Sequence, residues 1–228
     1  MDAASSSGSF SVIKVLSNER VFTPRAFPAC VSYAGSIYLL GGCSGAACSV
    51  MHEQILTSGN GAMWNQVIGV GYQDKPSDLL WSSSFFQNCA RLMAVVHEES
   101  IYVIGGRSGV NTRVLSLSSH PASASLLSIQ ALPPLPSEMT GFGRQQGSLV
   151  TLLGKLWVLG GKNDEGWRGK DILVLLTNAE SGKHWKLVHA VTPFPGRYAA
   201  SGVVVRGRMA SFSCCLITFV LMFTNFLS

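Results

Sequence analysis

Apolar residues are grouped in short runs along this chain, and three of these runs end at a pair of glycines. The runs and their pairs are Ser36–Leu40 before Gly41 and Gly42, Ser100–Ile104 before Gly105 and Gly106, and Leu156–Leu159 before Gly160 and Gly161. Short runs rich in β-branched and aromatic residues favour buried β-strands over helices. Glycine at a strand end permits positive φ and close backbone approach. Each of these three segments, called a phrase below, is therefore predicted to contain a strand, a tight turn, a second strand and a glycine pair.

The phrase recurs at near-equal intervals. The first glycines of the three pairs lie 64 and 55 residues apart, and an arginine precedes each phrase, at Arg25, Arg91 and Arg144. Arg197 follows Arg144 by 53 residues, which is also the interval from Arg91 to Arg144. Asp171–Leu176 and His184–Val188 are predicted to be further strands of the third unit. In its glycine pairs and arginine spacing the unit resembles the kelch repeat, which recurs at about 50 residues.

The resemblance implies an all-β fold, a kelch-type β-propeller with about three complete four-stranded antiparallel blades and a broken fourth, forming an incomplete ring. The alternative for short, evenly spaced strands is a β-sandwich in which the glycine pairs are coincidental. The chain divides into a flexible N-terminal segment, 1–8, the propeller blades, 9–208, and an apolar C-terminal tail, 209–228. Ser9–Val15 resembles the last strand of a blade, which suits ring closure with a late blade.

The fourth unit begins at Arg197 and then departs from the pattern. Its register predicts a glycine pair at 213 and 214, where the chain has Ser213 and Cys214. The 20 residues of the tail carry no charge, and two interpretations stay open. The tail is either a membrane anchor flanked by Arg206 and Arg208 on the cytoplasmic side, or the product of a truncated reading frame that leaves an apolar strand exposed. Without a secretory signal in residues 1–20, a cytoplasmic or nuclear location is expected.

Composition narrows the function classes. The chain is 47% hydrophobic and 13% charged, which indicates a folded core. The net charge is +5, but the basic residues are scattered, so nucleic-acid binding is not favoured. The six cysteines form no C-x-x-C pair and are expected to be reduced thiols, and His184 and His189 point to opposite faces of a strand. No metal site and no cofactor are predicted.

The resemblance also implies where a partner binds. In peptide-binding kelch propellers, residues just after the glycine pair and residues at the start of the innermost strand surround one mouth of the channel. Here these positions are the post-glycine residues Cys43, Arg107 and Lys162 and the strand-start residues Arg25, Arg91, Arg144 and Arg197. The six cations are predicted to bind a protein or peptide of acidic character. The alternative is a structural role, in which the strand-start arginines hydrogen-bond loop carbonyls and hold the blades together.

Two functions follow from the resemblance. The first is a protein-interaction module, such as a substrate adaptor, with no catalytic residues. The alternative is a sugar-acting kelch enzyme, such as a sialic-acid mutarotase or a galactose-oxidase-like protein, although the copper ligands of the latter cannot be placed on this sequence. Neither a P-loop nor an H-E-x-x-H sequence is present.

Overall fold

The computed structural model describes residues 23–71, 90–106, 114–120, 123–132, 135, 144–163, 169–178, 182–189, 196 and 198–213. Across these ranges the secondary structure is β-strand, apart from one short 3-10 turn at Ala46–Cys48, and no α-helix is found. The all-β fold predicted from the apolar runs is confirmed.

The first blade is built from four antiparallel strands. They are β1 (Ala29–Tyr33), β2 (Ser36–Leu40), β5 (Ile55–Ser58) and β6 (Asn65–Gly71). Between β2 and β5 lies a small hairpin of β3 (Cys43–Ser44) and β4 (Val50–Met51). The turn between β1 and β2 uses Ala34 and Gly35, both at positive φ. The β1–β2 phrase lies where the sequence predicts it.

The second and third blades repeat this plan. The second contains β7 (Leu92–His97), β8 (Ser100–Gly105), β9 (Val114–His120) and β10 (Ser123–Leu132). The third contains β11 (Ser148–Leu152), β12 (Lys155–Leu159), β13 (Ile172–Asn178) and β14 (Gly182–His189). A fourth unit is a two-stranded hairpin of β15 (Ala200–Val205) and β16 (Arg208–Ser213).

One strand pairing departs from the expectation of separate antiparallel sheets. β6 and β10, the outermost strands of the first two blades, pair in parallel from Ile68–Leu126 to Gly71–Ile129. The first two blades therefore share one eight-stranded sheet, whereas β11–β14 form a sheet of their own. The pairing is parallel because equivalent strands of successive blades run in the same direction. It satisfies backbone groups that two outer edges would otherwise expose.

The core lies between neighbouring blades. β1 packs against β7, β7 against β11 and β11 against β15, so these four are the inner strands. Alternation along each strand divides its side chains between two interfaces. On β8, Ile101 and Val103 face the first blade, whereas Tyr102 and Ile104 face the third. Trp157 on β12 packs toward the hairpin, in a cluster that includes Met209. This stacking of blades through both faces is propeller architecture.

The ends of the chain are only partly described. Residues 209–213 of the apolar tail lie in β16, which pairs with β15 from Ala200–Ser213 to Val205–Arg208. Residues 214–228 and 1–22 lie outside the described residues, and the predicted N-terminal strand Ser9–Val15 lies there with them. In the part of the chain that is described, no helix has the length and apolarity to cross a bilayer.

Candidate functional site

At one end of the inner strands, the described strand-start segments meet the post-glycine residues Cys43 and Lys162. We call this end, with Arg25–Phe27, Arg91 and Arg144–Gln146, the mouth face. Cys43 pairs with Ala26 through two backbone hydrogen bonds of 2.7 and 2.8 Å. Lys162 pairs with Gln145 in the same way, with both bonds at 2.9 Å. Cys43 and Lys162 are therefore equivalent positions of two blades, and each lies beside the start of an inner strand. The third post-glycine residue, Arg107, lies outside the described residues.

A chain of backbone hydrogen bonds crosses the mouth face from blade to blade. The Arg91 amide donates to Phe27 O at 2.9 Å, and the Gln146 amide donates to Arg91 O at 3.2 Å. The Ala200 amide continues the chain to Gln146 O at 3.4 Å. Phe27, Arg91 and Gln146 all have positive φ, with values of 54°, 66° and 56°. These three residues thus hold one equivalent position in successive blades.

This geometry corrects the register assigned to Arg91. Arg25 and Arg144 each lie 16 residues before the glycine whose carbonyl they bind. Arg91 lies 14 residues before Gly105 and corresponds to Phe27 and Gln146 instead. The position equivalent to Arg25 in the second blade is Cys89, outside the described residues. The shorter interval to the glycine pair was the sequence signal that could have revealed the difference.

Arg25 and Arg144 anchor the glycine pairs of their own blades. Arg25 Nη1 donates to Gly41 O at 2.9 Å, and Arg144 Nη1 donates to Gly160 O at 3.0 Å. Arg25 is half-buried and donates a further bond from Nε to Thr23 O at 3.3 Å. Burial lowers the pKa of Arg25. These bonds to loop carbonyls are the structural role named as the alternative for the strand-start arginines.

Arg144 is fully buried. Its side chain is 0% exposed, and its Nη2 forms an ion pair with the Asp171 carboxylate, which is 5% exposed. Burial lowers the pKa of Arg144, and the charge and hydrogen bond of Asp171 oppose that shift. A side chain without exposed surface cannot contact a partner, so the partner-binding role expected for Arg144 is corrected to an internal one. The residue joins the third glycine pair to Asp171, the residue that directly precedes β13.

Arg91 and Lys162 lie against aromatic rings. The Arg91 guanidinium is 5.2 Å from the centroid of the Phe27 ring, and its Nη1 donates to Gln145 Oε1 at 3.1 Å. The side chain therefore spans three blades. Lys162 Nζ is 4.6 Å from the Tyr198 ring centroid, at the start of the fourth unit. Both cations are partly exposed at the mouth face. The remaining predicted cation, Arg197, lies outside the described residues.

The structure corrects the expectation of reduced thiols at two positions. Cys43 and Cys48 form a disulfide, with their Cα atoms 5.0 Å apart. The two cysteines are five residues apart, and the 3-10 turn Ala46–Cys48 brings them together. Within this turn, Ala47 and Cys48 have positive φ. Nothing in the cysteine spacing shows this turn, so the pairing was missed. Cys30 on β1 is a free, exposed thiol, and partial burial raises its pKa.

A pocket of about 330 Å³ opens beside the first blade. It is lined by Met51, His52, Glu53, Gln54 and Gln66. His52 Nε2 lies 2.9 Å from Ser44 Oγ, which fixes the imidazole ring. Burial, followed by the charge of Arg25, lowers the pKa of His52. Among the described residues, no three His, Cys, Asp or Glu side chains come together in a way that could hold a metal ion.

Four-stranded antiparallel sheets stacked about a common set of inner strands define a β-propeller. Among solved structures, that of YjhT matches with a TM-score of 0.58 at 14% sequence identity. The match covers 82% of this chain and 58% of that chain, so this chain spans less than two thirds of YjhT. At this identity the likeness shows the propeller fold alone.

No family model matches the chain, and no curated protein matches it. The kelch resemblance therefore depends on the repeated phrase and on the fold.

Proposed function

We propose that this propeller is a protein-interaction module, such as a substrate adaptor, and that it binds an acidic peptide or an acidic loop of a partner protein at the mouth face. The observation that carries the proposal is that three blades each contribute one partly exposed cation to this end of the inner strands. These cations are Arg25, Arg91 and Lys162. Arg107 and Arg197 belong to the same proposal through their repeat positions.

The aromatic neighbours support binding of a peptide rather than of a free ion. Phe27 is 46% exposed beside Arg91, and Tyr198 is partly exposed beneath Lys162. Aromatic and arginine side chains are enriched in protein interfaces, where rings supply contact area and cations supply direction. Arginine keeps its charge and offers a planar fork of donors to a carboxylate. Side chains of this kind fit a chain of acidic and apolar residues.

The far end of the inner strands has mixed charge. Glu98 and Glu99 are exposed in the turn between β7 and β8, and Arg206 is exposed in the equivalent turn between β15 and β16. Within the second blade, an acidic peptide is thus attracted to the mouth face by Arg91 and repelled at the turn of Glu98 and Glu99. Electrostatic capture of this kind gives an affinity that falls as salt rises.

A charge-matched pair of variants tests the proposal. Lys162→Ala is expected to weaken binding of a fluorescein-labelled hexaglutamate peptide about two- to fivefold, the value of an exposed ion pair. Lys162→Glu is expected to weaken it further, and the double variant Arg107→Ala/Lys162→Ala more than either alanine change alone. Fluorescence anisotropy at low and at high salt measures the affinity.

Lys186→Ala and Lys186→Glu are the matched controls. Lys186 is exposed on β14, the outer strand of the same blade, so its replacement changes net charge equally without touching the mouth face. Equal weakening by the Lys162 and Lys186 variants would assign the attraction to net charge alone and reject the mouth face as the binding site.

A further inference from the structure

We infer that the Cys43–Cys48 disulfide is a redox-controlled clasp that sets the shape of the mouth face. The inference rests on the proposed function, because it assigns a means of regulation to the same face. The disulfide closes the loop that follows the first glycine pair, and this loop occupies the post-glycine position that Lys162 holds in the third blade.

Both cysteines are buried, but the rest of the molecule holds their backbones differently. Cys43 is 0% exposed, and its backbone pairs with both Ala26 and Met51. Cys48 lies in the 3-10 turn, where the amide of Cys48 donates to Gly45 O at a long 3.3 Å. Ala47 and Cys48 are consecutive non-glycine residues at φ 50° and 60°. Such a conformation persists only where its surroundings impose it, and the bond to Cys43 is one of the constraints on it here.

The disulfide also forms part of the contact between the first two blades. Cys43 and Cys48 pack with Ala90, which is 0% exposed, and with Met51. Ala90 directly precedes Arg91, the residue that crosses from Phe27 to Gln145. A change in the position of Cys48 therefore removes a packing partner from the segment that positions the Arg91 guanidinium.

The chemical step is a thiol–disulfide exchange with a dithiol reductant. One thiolate of the reductant attacks a sulfur of the Cys43–Cys48 bond and releases the other cysteine. The second thiolate of the reductant then attacks the reductant's own sulfur in the mixed disulfide and releases the remaining cysteine. Two electrons and two protons pass to the protein, which gains two thiols, and the reductant becomes a disulfide. Cys43 stays in its backbone pairing, whereas Cys48 is released with the 3-10 turn. Oxidation reverses the step and restores the clasp.

Alkylation and proteolysis test the clasp itself. Iodoacetamide on the native, unreduced protein is expected to label Cys30 and to leave Cys43 and Cys48 unlabelled in peptide mass spectra. Dithiothreitol should make Cys48 reactive and should speed elastase cleavage after Ala46 or Ala47 about tenfold, because the turn opens locally. Labelling of Cys43 and Cys48 before reduction, or cleavage at the same rate after it, would overturn the inference.

Binding of the hexaglutamate peptide tests the consequence for the mouth face. Reduction is expected to weaken binding several-fold, and Cys48→Ser is expected to bind like the reduced protein and to ignore dithiothreitol. Cys30→Ser, which alters the free thiol of β1, should bind and respond like the unaltered chain. An affinity that reduction leaves unchanged would reject the regulatory role. If the oxidised protein fails to bind at all, the proposed function falls, and the elastase rates alone then decide whether the clasp exists.

Discussion

Arg25 and Arg144 occupy the same position of two repeats, yet their surroundings make them contribute differently to the free energy of unfolding. Both donate to the first glycine of their own pair, but Arg25 is half-buried, whereas Arg144 is fully buried in an ion pair with Asp171. Removing one member of a buried ion pair leaves the other charged and desolvated, which costs far more than losing one hydrogen bond at a partly exposed site.

Arg144→Met is therefore expected to lower the free energy of unfolding by about 3–5 kcal/mol. The matched change Arg25→Met is expected to cost about 1 kcal/mol, since it removes hydrogen bonds to backbone carbonyls at a half-buried site. Urea unfolding followed by tryptophan fluorescence measures both values. Equal losses for the two variants would contradict the buried ion pair between Arg144 and Asp171.

His52 gives the first blade a dependence on pH. Its folded pKa lies below the ordinary 6.5, so the unfolded chain takes up a proton at a higher pH than the folded one. The stability linked to His52 is then fully present above about pH 6.5 and is lost as the pH falls through the folded pKa. His52→Gln is expected to reduce the fall in melting temperature between neutral pH and about pH 5.

A second variant separates the two causes of this shift. Arg25→Met removes the repulsive charge and leaves the burial of His52, so it should weaken the acid sensitivity only in part. Calorimetry at both pH values gives the comparison. Acid sensitivity that is identical in the unaltered chain and in His52→Gln would exclude His52 as its source.

Glycine pairs let neighbouring blades approach closely at the mouth face. Gly105 has φ 96°, and a Cβ atom there would lie 2.5 Å from the backbone oxygen of Arg144 in the next blade. Gly154, in the turn between β11 and β12, has φ 66° and open space around the same position. The two glycines share a left-handed backbone, but only Gly105 lies at a contact between blades.

Gly154→Ala is expected to cost about 1–2 kcal/mol from its left-handed backbone alone. Gly105→Ala should cost a further 1–3 kcal/mol or so, because two blades must move apart to admit the methyl group. Equilibrium unfolding of both variants checks the difference. A loss for Gly105→Ala no greater than that for Gly154→Ala would contradict the close approach between β8 and the Arg144 segment.

Strand positions could be predicted because their signals are local. The β1–β2 and β11–β12 hairpins follow from apolar runs of strand length separated by two turn residues. The parallel pairing of β6 with β10 joins edges from different repeats, and no local pattern encodes which edges meet.

The same limit applies to the candidate site. Cation positions can be read from the sequence, but the aromatic partners Phe27 and Tyr198 come from neighbouring blades.

The hydrogen-bond chain across the mouth face makes a prediction about how the blades open. The amides of Arg91 and Gln146 donate to the preceding blade, so they exchange only when blades separate. Both are expected to be protected like the inner strands β7 and β11, whereas amides of the turn at Glu98 and Glu99 exchange fast. Hydrogen–deuterium exchange measures this. Exchange at Arg91 as fast as in that turn would show that the blades open independently.

The eight-stranded sheet determines where the molecule can bend. The first two blades share a continuous hydrogen-bonded ladder through β6 and β10, so a change in the angle between them breaks backbone pairs. The third blade has a separate sheet and meets the second through side-chain packing, the bond from Arg91 to Gln145 and the bonds that the Gln146 amide and Thr151 Oγ1 donate to Arg91 O and Val96 O. The joint between β7 and β11 can therefore bend with fewer broken backbone pairs than the joint between the first two blades. Arg91 spans this joint between Phe27 and Gln145, so we expect a ligand that engages its guanidinium to change how freely the joint bends.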